Sequence, residues 1–418
     1  MYRKTVLSNG MRVISEEIAH VRSVSIGIWI ECGSRYEDSR TNGAAHFIEH
    51  MLFKGTERRS AFDIAAAIDS VGGVMNAFTS KELTSFYIKI PDYHLALAID
   101  LLADILKNSQ FEENEIGKEK SVVLQEISML EDSPDDYIHD FFEANFWQGD
   151  HLDLPVLGSR EQVEGFSREM LLRFFRSRYR GRNVVLTAAG NMQHERLVEM
   201  VQAAFEGMEE SGEKVAFQTP FVTAGISVLE KDLEQVHMMI GTLAPSSVSE
   251  RRHAAFLMNA ILGGSMSSRL FQEIREKRGL AYAVHSYLTP YMDTGMLAVY
   301  VGTGKEEVRE VLGLIIAELI RMERQPLTGQ ELQGAKELIK GNFLLSMEST
   351  DNRMSRLAKN EICFGRDVPP EEVTASIDAV TPEDVQELAR ELFNPNTISI
   401  AAIGPTSEKE LTLHVLNG

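Results

Sequence analysis

The spacing of apolar and polar residues along the chain predicts strands and helices in mixed order. Apolar residues on both sides of Asn9-Gly10 predict a hairpin, and alternation over 23–30 predicts a half-buried strand. Two helices are expected next, followed by two strands between Gly72 and Ile90, helices near 92–108, 112–131 and 134–148, and a strand at 183–189. Strands and helices in mixed order are typical of an α+β fold.

An internal repeat becomes visible when the chain is shifted by 214 positions. Ile26-Gly27 then falls on Ile240-Gly241, and the strand ending at Gly190 falls on the strand ending at Gly404. We interpret these matches as two homologous α+β halves, each with a mixed or antiparallel sheet covered by helices.

A polar stretch rich in Gly and Pro interrupts the periodicity near position 210. We therefore predict an N-terminal half at 1–210, a linker at 211–222 and a C-terminal half at 223–418. A length of 418 residues agrees with two domains.

The charge balance limits the classes of partner. With 42 Lys and Arg against 62 Asp and Glu, the formal net charge is −20, so affinity for nucleic acid or an anionic membrane is not expected. Two cysteines give no disulfide framework. The N-terminal residues do not resemble a signal peptide, so we expect a cytoplasmic protein.

The candidate chemistry begins at His46-Phe-Ile-Glu-His50, an H-x-x-E-H motif for which chance placement predicts only about 0.03 matches. Thr41-Asn42 is expected to cap a helix beginning near Gly43, and Gly55 to end it. His46, Glu49, His50 and Phe53 then share one stripe, from which two imidazoles can bind one Zn²⁺. A pair of histidines buried without a metal is the alternative.

The third ligand is left open by periodicity. Glu119 and Glu126 lie seven residues apart on one face of the helix predicted at 112–131, and either carboxylate could complete the site. A solvated run of acidic residues is the alternative for both.

The segment from His46 to Thr56 resembles the signature of the pitrilysin superfamily, in the branch of the mitochondrial processing peptidase β subunit and its bacterial relatives. In that family the third zinc ligand is a Glu 76 positions after the second His, which here is Glu126. Glu119 matches the family's supporting acid. The resemblance thus implies one Zn²⁺ per chain, held by His46, His50 and Glu126.

The resemblance extends over most of the chain. Residues 72–80 are similar to the family's edge strand, which implies that Asn76 and Ala77 pair with substrate backbone. The segment 270–282 is similar to the one whose Arg and Tyr contact substrate, here Arg275 and Tyr282. Read from the residues alone, these two are a surface Arg and a core Tyr.

The second half lacks the metal motif. Shifted by 214, the four motif positions fall on Ala260, Gly263, Gly264 and Lys340. The resemblance therefore implies one catalytic half and one noncatalytic half, which form a clamshell around a central chamber.

Two acids offer a hint of specificity. Asp136 and Asp140 lie four apart at the start of a predicted helix, where they could grip an Arg or Lys side chain. Helix capping explains Asp136 but not Asp140. The resemblance implies recognition of an arginine near the cleaved bond, and it places Phe53 beside the residue that follows that bond.

The expected function is zinc-dependent endopeptidase activity on short or unfolded, basic peptides, as in processing peptidases. Glu49, one turn from both histidines, is placed to act as the general base, and Arg275 and Tyr282 would hold the substrate. The alternatives are a noncatalytic core subunit of a larger complex and a structural zinc site. A homodimer, or a pair with a second subunit of the same fold, is also expected.

Overall fold

A computed structural model describes residues 2–147, 149–210, 215, 217–222 and 224–411. Positions 211–214 and 216 of the predicted linker lie outside the described residues. The chain forms two compact units, each built from three segments. Unit 1 comprises Met1–Ser128, Leu154–Ala216 and Leu345–Asp367, and unit 2 comprises Met129–Asp153, Phe217–Leu344 and Val368–Gly418.

The secondary structure follows the predicted mixed order closely. The strands are β1 (Tyr2–Val6), β2 (Arg12–Glu17), β3 (Ser23–Ile30), β4 (Val74–Thr79), β5 (Thr84–Pro91), β6 (Val184–Gly190), β7 (Ile226–Glu230), β8 (Val236–Leu243), β9 (Ala281–Pro290), β10 (Gly295–Thr303) and β11 (Ser399–Gly404). The helices are α1 (Ala44–Leu52), α2 (Ala61–Asp69), α3 (Leu95–Asn108), α4 (Glu113–Asp132), α5 (Pro134–Phe146), α6 (Arg160–Gly165), α7 (Arg168–Arg178), α8 (His194–Ala204), α9 (Arg252–Leu262), α10 (Val308–Arg324), α11 (Gly329–Ser346), α12 (Thr350–Phe364), α13 (Pro370–Ala379) and α14 (Pro382–Leu392).

Each unit contains one mixed sheet, and the sheet of unit 2 repeats the topology of the unit 1 sheet without a counterpart of β1. The strand order is β1-β2-β6-β3-β5-β4 in unit 1 and β7-β11-β8-β10-β9 in unit 2. Within this order β2 is parallel to β6, as β7 is to β11, and the pairs that follow are antiparallel. The predicted α+β fold with two homologous halves is therefore confirmed. The predicted hairpin at Asn9-Gly10 is also present, with Gly10 at φ 80°.

Each unit contains one helix that belongs to the other half of the sequence. Helix α12, from the second half of the chain, packs against β2, β3 and β6 of unit 1. Helix α5, from the first half, packs against β8 and β11 of unit 2. Each unit thus lacks one segment of its own half of the sequence and includes one segment of the other half.

This exchange explains the repeated glycines. A Cβ at Gly27 would lie 3.0 Å from Met354 of α12, and a Cβ at Gly241 would lie 2.6 Å from the ring of Phe142 of α5. Both glycines allow a helix to approach the sheet closely. The match found by shifting the sequence therefore marks equivalent packing positions.

Strand β3 departs from the sequence prediction. It was expected to be half-buried, yet every residue from Val24 to Ile30 is buried. One face packs on the main core of the unit, and the other, which includes Trp29, is covered by Met354, Leu357 and Ala358 of α12. The prediction was wrong because the covering helix lies more than 300 residues away in the chain.

None of the helices in the described ranges has the length and apolar character needed to cross a bilayer.

Candidate metal centre

Helix α1 carries the H-x-x-E-H motif, and its start differs from the predicted cap. The helix begins after Gly43, whose φ is 90°, and no side chain of the Thr41-Asn42 pair caps it. Instead, the buried Glu37 carboxyl accepts the backbone N–H groups of Gly43 at 2.7 Å and Ala45 at 2.6 Å. The Asn42 side chain donates to the same carboxyl at 3.0 Å. Burial raises the pKa of Glu37 to about 8, although these three hydrogen bonds oppose the shift.

The apolar side of α1 fixes the direction of the motif. Phe47, Ile48, Met51 and Leu52 are buried in the main core of unit 1. His46 and His50 lie on the opposite stripe, with ring centroids 4.6 Å apart. The i, i+4 spacing therefore places both imidazoles together, as the sequence predicted.

Helix α4 brings one carboxylate to both imidazoles. The Glu126 oxygens lie 3.8 Å from Nε2 of His46 and 3.7 Å from Nε2 of His50. One ligand atom from each of these three residues falls within 4.8 Å of the others, and no second such group occurs in the described part of the chain.

The donor set of this cluster fits zinc. Ligand atoms around tetrahedral zinc are about 3.3 to 3.5 Å apart, close to the separations seen here. Glu126 Oε2 is buried without a hydrogen-bond partner among the described residues. Burial, with a smaller effect of the neighbouring His50, lowers the pKa of His46 to about 3, so its imidazole is neutral and can donate a lone pair. Two imidazoles and one carboxylate can hold Zn²⁺ and leave a coordination position open.

Glu119, the other candidate ligand, points to the far side of His50. Its side chain is only 4% exposed, and it accepts a hydrogen bond from Nδ1 of His50 at 3.0 Å. Its second oxygen pairs with Nζ of Lys54 at 2.7 Å. Glu119 thus contacts one imidazole of the cluster, and the supporting role that the resemblance implied stays a prediction. Lys54 was missed, although its spacing of four residues after His50 was a readable signal.

Glu49 lies on the same stripe and is held by strand β4. Thr79 Oγ1 donates to Glu49 Oε2 at 2.5 Å. Burial raises the pKa of Glu49, while the Thr79 hydrogen bond and the nearby His50 oppose the shift. A half-buried carboxylate with a raised pKa next to a cluster of ligands is suited to proton transfer. No sequence signal identified Thr79 as its partner.

Strand β4 is an edge strand, as predicted for residues 72–80. It pairs with β5 alone among the described strands, with Asn76 opposite Tyr87 and Ala77 opposite Phe86. Asn76 is exposed, and its side-chain oxygen accepts the backbone N–H of Ala77 at 2.8 Å. Phe53, at the end of α1, packs against Phe86 with ring centroids 5.9 Å apart.

Arg275 and Tyr282 meet within unit 2. A π-helical segment, Phe271–Glu276, carries Arg275, and Gly279 at φ 64° reverses the chain before β9. The Arg275 guanidinium lies 4.5 Å from the centroid of the Tyr282 ring. Tyr282 is 79% exposed, so the reading of it as a core tyrosine was wrong. Together the two side chains present a hydroxyl and a cation at the surface of the unit.

Asp136 and Asp140 occupy the first half of α5. Asp136 is exposed in the first turn, and Asp140 is half-buried one turn later. His139, between them, has its pKa lowered chiefly by burial, with the two acids opposing the shift. The pair therefore forms a local acidic region on unit 2.

Two family models account for most of the chain. Residues 12–160 match the model described as insulinase (peptidase family M16), and residues 165–339 match the one described as peptidase M16 inactive domain. An uncharacterized zinc protease of Streptomyces coelicolor is 39% identical over 98% of this chain and 90% of its own length. The uncharacterized zinc protease YmxG of Bacillus subtilis is 40% identical over 97% of this chain and 99% of its own length.

This chain belongs to peptidase family M16. The pitrilysin superfamily resemblance read from the sequence is thereby confirmed. A Helicobacter pylori protease shares the M16 fold with a TM-score of 0.89 at 22% identity, covering 97% of this chain and 99% of that one. The cluster of His46, His50 and Glu126 lies within the insulinase match, while the Ala260, Gly263, Gly264 and Lys340 positions lie at or beside the inactive-domain match.

Proposed function

We propose that this M16 protein is a zinc-dependent endopeptidase with one Zn²⁺ per chain, bound by His46, His50 and Glu126. The observation that carries the proposal is the convergence of these three ligand atoms within 4.8 Å, next to a carboxylate that is not one of them. A bound zinc ion supplies Lewis-acid activation of water and of the scissile carbonyl.

Glu49 is the general base in this proposal. Its carboxylate takes a proton from the attacking water and delivers it to the leaving amine. The raised pKa suits both steps, because the group must accept a proton readily and then release it. Thr79 fixes the carboxylate in place through the hydrogen bond from β4.

The substrate is an extended peptide that adds to the free edge of β4. Asn76 and Ala77 precede Thr79 by two or three residues, which is about 7 to 10 Å along a strand. A peptide paired with this edge would therefore run toward Glu49, because Thr79 joins the strand to that carboxylate. The Asn76 side chain must release the Ala77 N–H to allow the pairing.

The finer specificity follows from side chains that recognise charge and shape. We assign Asp136 and Asp140 to an arginine or lysine of a basic peptide, as in processing peptidases, and Phe53 to the residue after the cleaved bond. Arg275 and Tyr282 hold the substrate and its developing oxyanion.

Pairing with a second copy or a second subunit of the same fold stays a prediction. Light scattering on the purified chain tests it by measuring the molecular mass in solution.

The test is cleavage of a quenched fluorescent peptide that carries Arg two residues before a hydrophobic residue. Wild type is compared with Glu49→Gln at equal zinc content, and with the control Glu57→Gln, which changes an exposed Glu just after the same helix. We expect wild type and the control to cleave, and Glu49→Gln to retain zinc but lose at least 100-fold in kcat. Stoichiometric zinc with no cleavage by wild type would refute the proposal for the isolated chain and favour a noncatalytic subunit.

A further inference from the structure

Lys54 lies one turn after His50, although α1 ends at Leu52. The turn continues because the Phe53 N–H donates to the His50 carbonyl at 3.1 Å and the Lys54 N–H donates to the Met51 carbonyl at 3.1 Å. The Lys54 side chain therefore stays on the stripe of the two histidines. Its ammonium reaches Glu119 on α4 at 2.7 Å.

Glu119 divides its two oxygens between two partners. Oε1 faces the Lys54 ammonium, and Oε2 accepts from Nδ1 of His50. Because the Glu119 side chain is 4% exposed, water cannot replace either partner freely. With Lys54 removed, the buried carboxylate loses its cation, and the group that fixes the His50 ring becomes free to change its orientation.

The two histidines differ in this respect. Nδ1 of His46 is buried without a hydrogen-bond partner among the described residues, whereas Nδ1 of His50 is bound to Glu119. Ligating imidazoles usually donate their second N–H to a fixed acceptor, which sets the tautomer and the ring orientation. Of the two imidazoles, only that of His50 has an acceptor for its second N–H among the described residues, so only its ring orientation is fixed in this way.

We propose that Lys54 is a positioning residue for His50, acting through Glu119. It holds the Glu119 carboxylate so that the His50 Nδ1–H has a fixed acceptor and Nε2 presents its lone pair beside Glu126. The inference rests on the proposed function, because it assigns Lys54 a part in zinc binding.

The experiment measures the zinc dissociation constant by competition with a fluorescent chelator in wild type, Lys54→Met and Lys54→Arg. The control is Lys89→Met, which removes another partly exposed lysine paired with a carboxylate, at 2.8 Å from Asp351. We expect Lys54→Met to weaken zinc binding 10- to 100-fold, which is the usual effect of losing such support. Lys54→Arg should restore binding to within about threefold, and the control should match wild type.

A double-mutant cycle tests whether Lys54 acts through Glu119. In a Glu119→Gln background, adding Lys54→Met should weaken zinc binding less than twofold further. The absorption spectrum of the cobalt-substituted protein should change in Lys54→Met. The metal-free variant should keep the wild-type circular dichroism spectrum at 25 °C but unfold at a lower temperature, because its buried Glu119 carboxylate has lost its cation. Wild-type zinc affinity in Lys54→Met, or full additivity with Glu119→Gln, would overturn the inference. If wild type itself takes up no zinc, the proposed function fails together with the inference.

Discussion

Glu37 offers a direct test of how the metal-binding helix is held. The Glu37→Ala variant removes the acceptor of the Gly43 and Ala45 backbone N–H groups and of the Asn42 side-chain amide. All three donors belong to buried residues at the first turn of α1. Glu37→Gln is the intermediate change, because it keeps one acceptor oxygen and nearly the same volume.

The magnitude follows from the donors left without a partner. Each buried donor without an acceptor costs about 1 to 3 kcal/mol, and three are affected. Removing a carboxyl whose burial is itself unfavourable, as its raised pKa indicates, returns part of that cost. We therefore expect a net loss of about 3 kcal/mol for Glu37→Ala and about half of that for Glu37→Gln.

Hydrogen exchange of the metal-free protein, followed by mass spectrometry on peptides that cover 44–52, measures this loss locally. A loss of 3 kcal/mol speeds exchange by local opening about 100-fold. Glu57→Ala is the control and should leave exchange in α1 unchanged. Equal protection of α1 in wild type and Glu37→Ala would refute the assignment of Glu37 as the cap.

The Glu37 carboxyl also makes the free energy of unfolding depend on pH. Its pKa of about 8 in the folded chain lies above the ordinary value of 4.5, so the folded state binds the proton more tightly between these values. This contribution to stability is complete below about pH 4.5 and is lost as the pH rises through 8. Glu37→Ala should remove this component of the slope of stability against pH.

Three further predictions concern the base, the glycines and the surface tyrosine. Thr79→Val removes the hydrogen bond that opposes the raised pKa of Glu49, so the acidic limb of kcat/KM against pH should move to higher pH, whereas Thr79→Ser should leave it in place. An unmoved limb in the valine variant would show that Thr79 does not tune the base. Gly190→Ala would place a Cβ 2.3 Å from a backbone carbonyl at φ 143°, and we expect a loss above 3 kcal/mol in urea unfolding. Gly117→Ala, in the second turn of α4 with no neighbouring atom within 4 Å of the added Cβ, should instead stabilise by about 0.5 to 1 kcal/mol. Tyr282→Ala removes a side chain that is 79% exposed, so unfolding should change by less than about 0.5 kcal/mol while kcat/KM falls at least tenfold. Unchanged kcat/KM would argue against a role of Tyr282 in holding substrate.

The parts of the site that depend on local spacing could be predicted from the sequence. His46 and His50 share a helical stripe because residues four apart always do, and the strand boundaries follow from short-range alternation. Helical periodicity could not decide whether Glu119 or Glu126 is the third ligand, because residues seven apart lie on the same face of a helix. The structure separates them by burial and by contact, since Glu119 faces Nδ1 of His50 and Glu126 faces Nε2.

The missed features depend on contacts that the regular periods of helices and strands do not describe. Glu37 was passed over as a cap because its carboxyl reaches the first turn of α1 from six residues before Gly43, in place of the Ser, Thr, Asp or Asn expected next to the helix. Arg275 contacts Tyr282 across a π-helical segment and the turn at Gly279, which the regular period of 3.6 residues does not describe. The burial of β3 depends on a helix encoded more than 300 residues later.

That distant helix has a consequence for synthesis on the ribosome. The apolar face formed by Ile14, Trp29 and Val185 is covered by α12, which is translated more than 150 residues after β6. At a translation rate of 5 to 20 residues per second, this face stays uncovered for on the order of 10 to 30 seconds before α12 is synthesised. During that interval the nascent chain exposes a surface that chaperones recognise and that favours aggregation. A fragment that ends at residue 210 would keep this face exposed permanently, so we expect it to be insoluble unless residues 345–367 are supplied in trans.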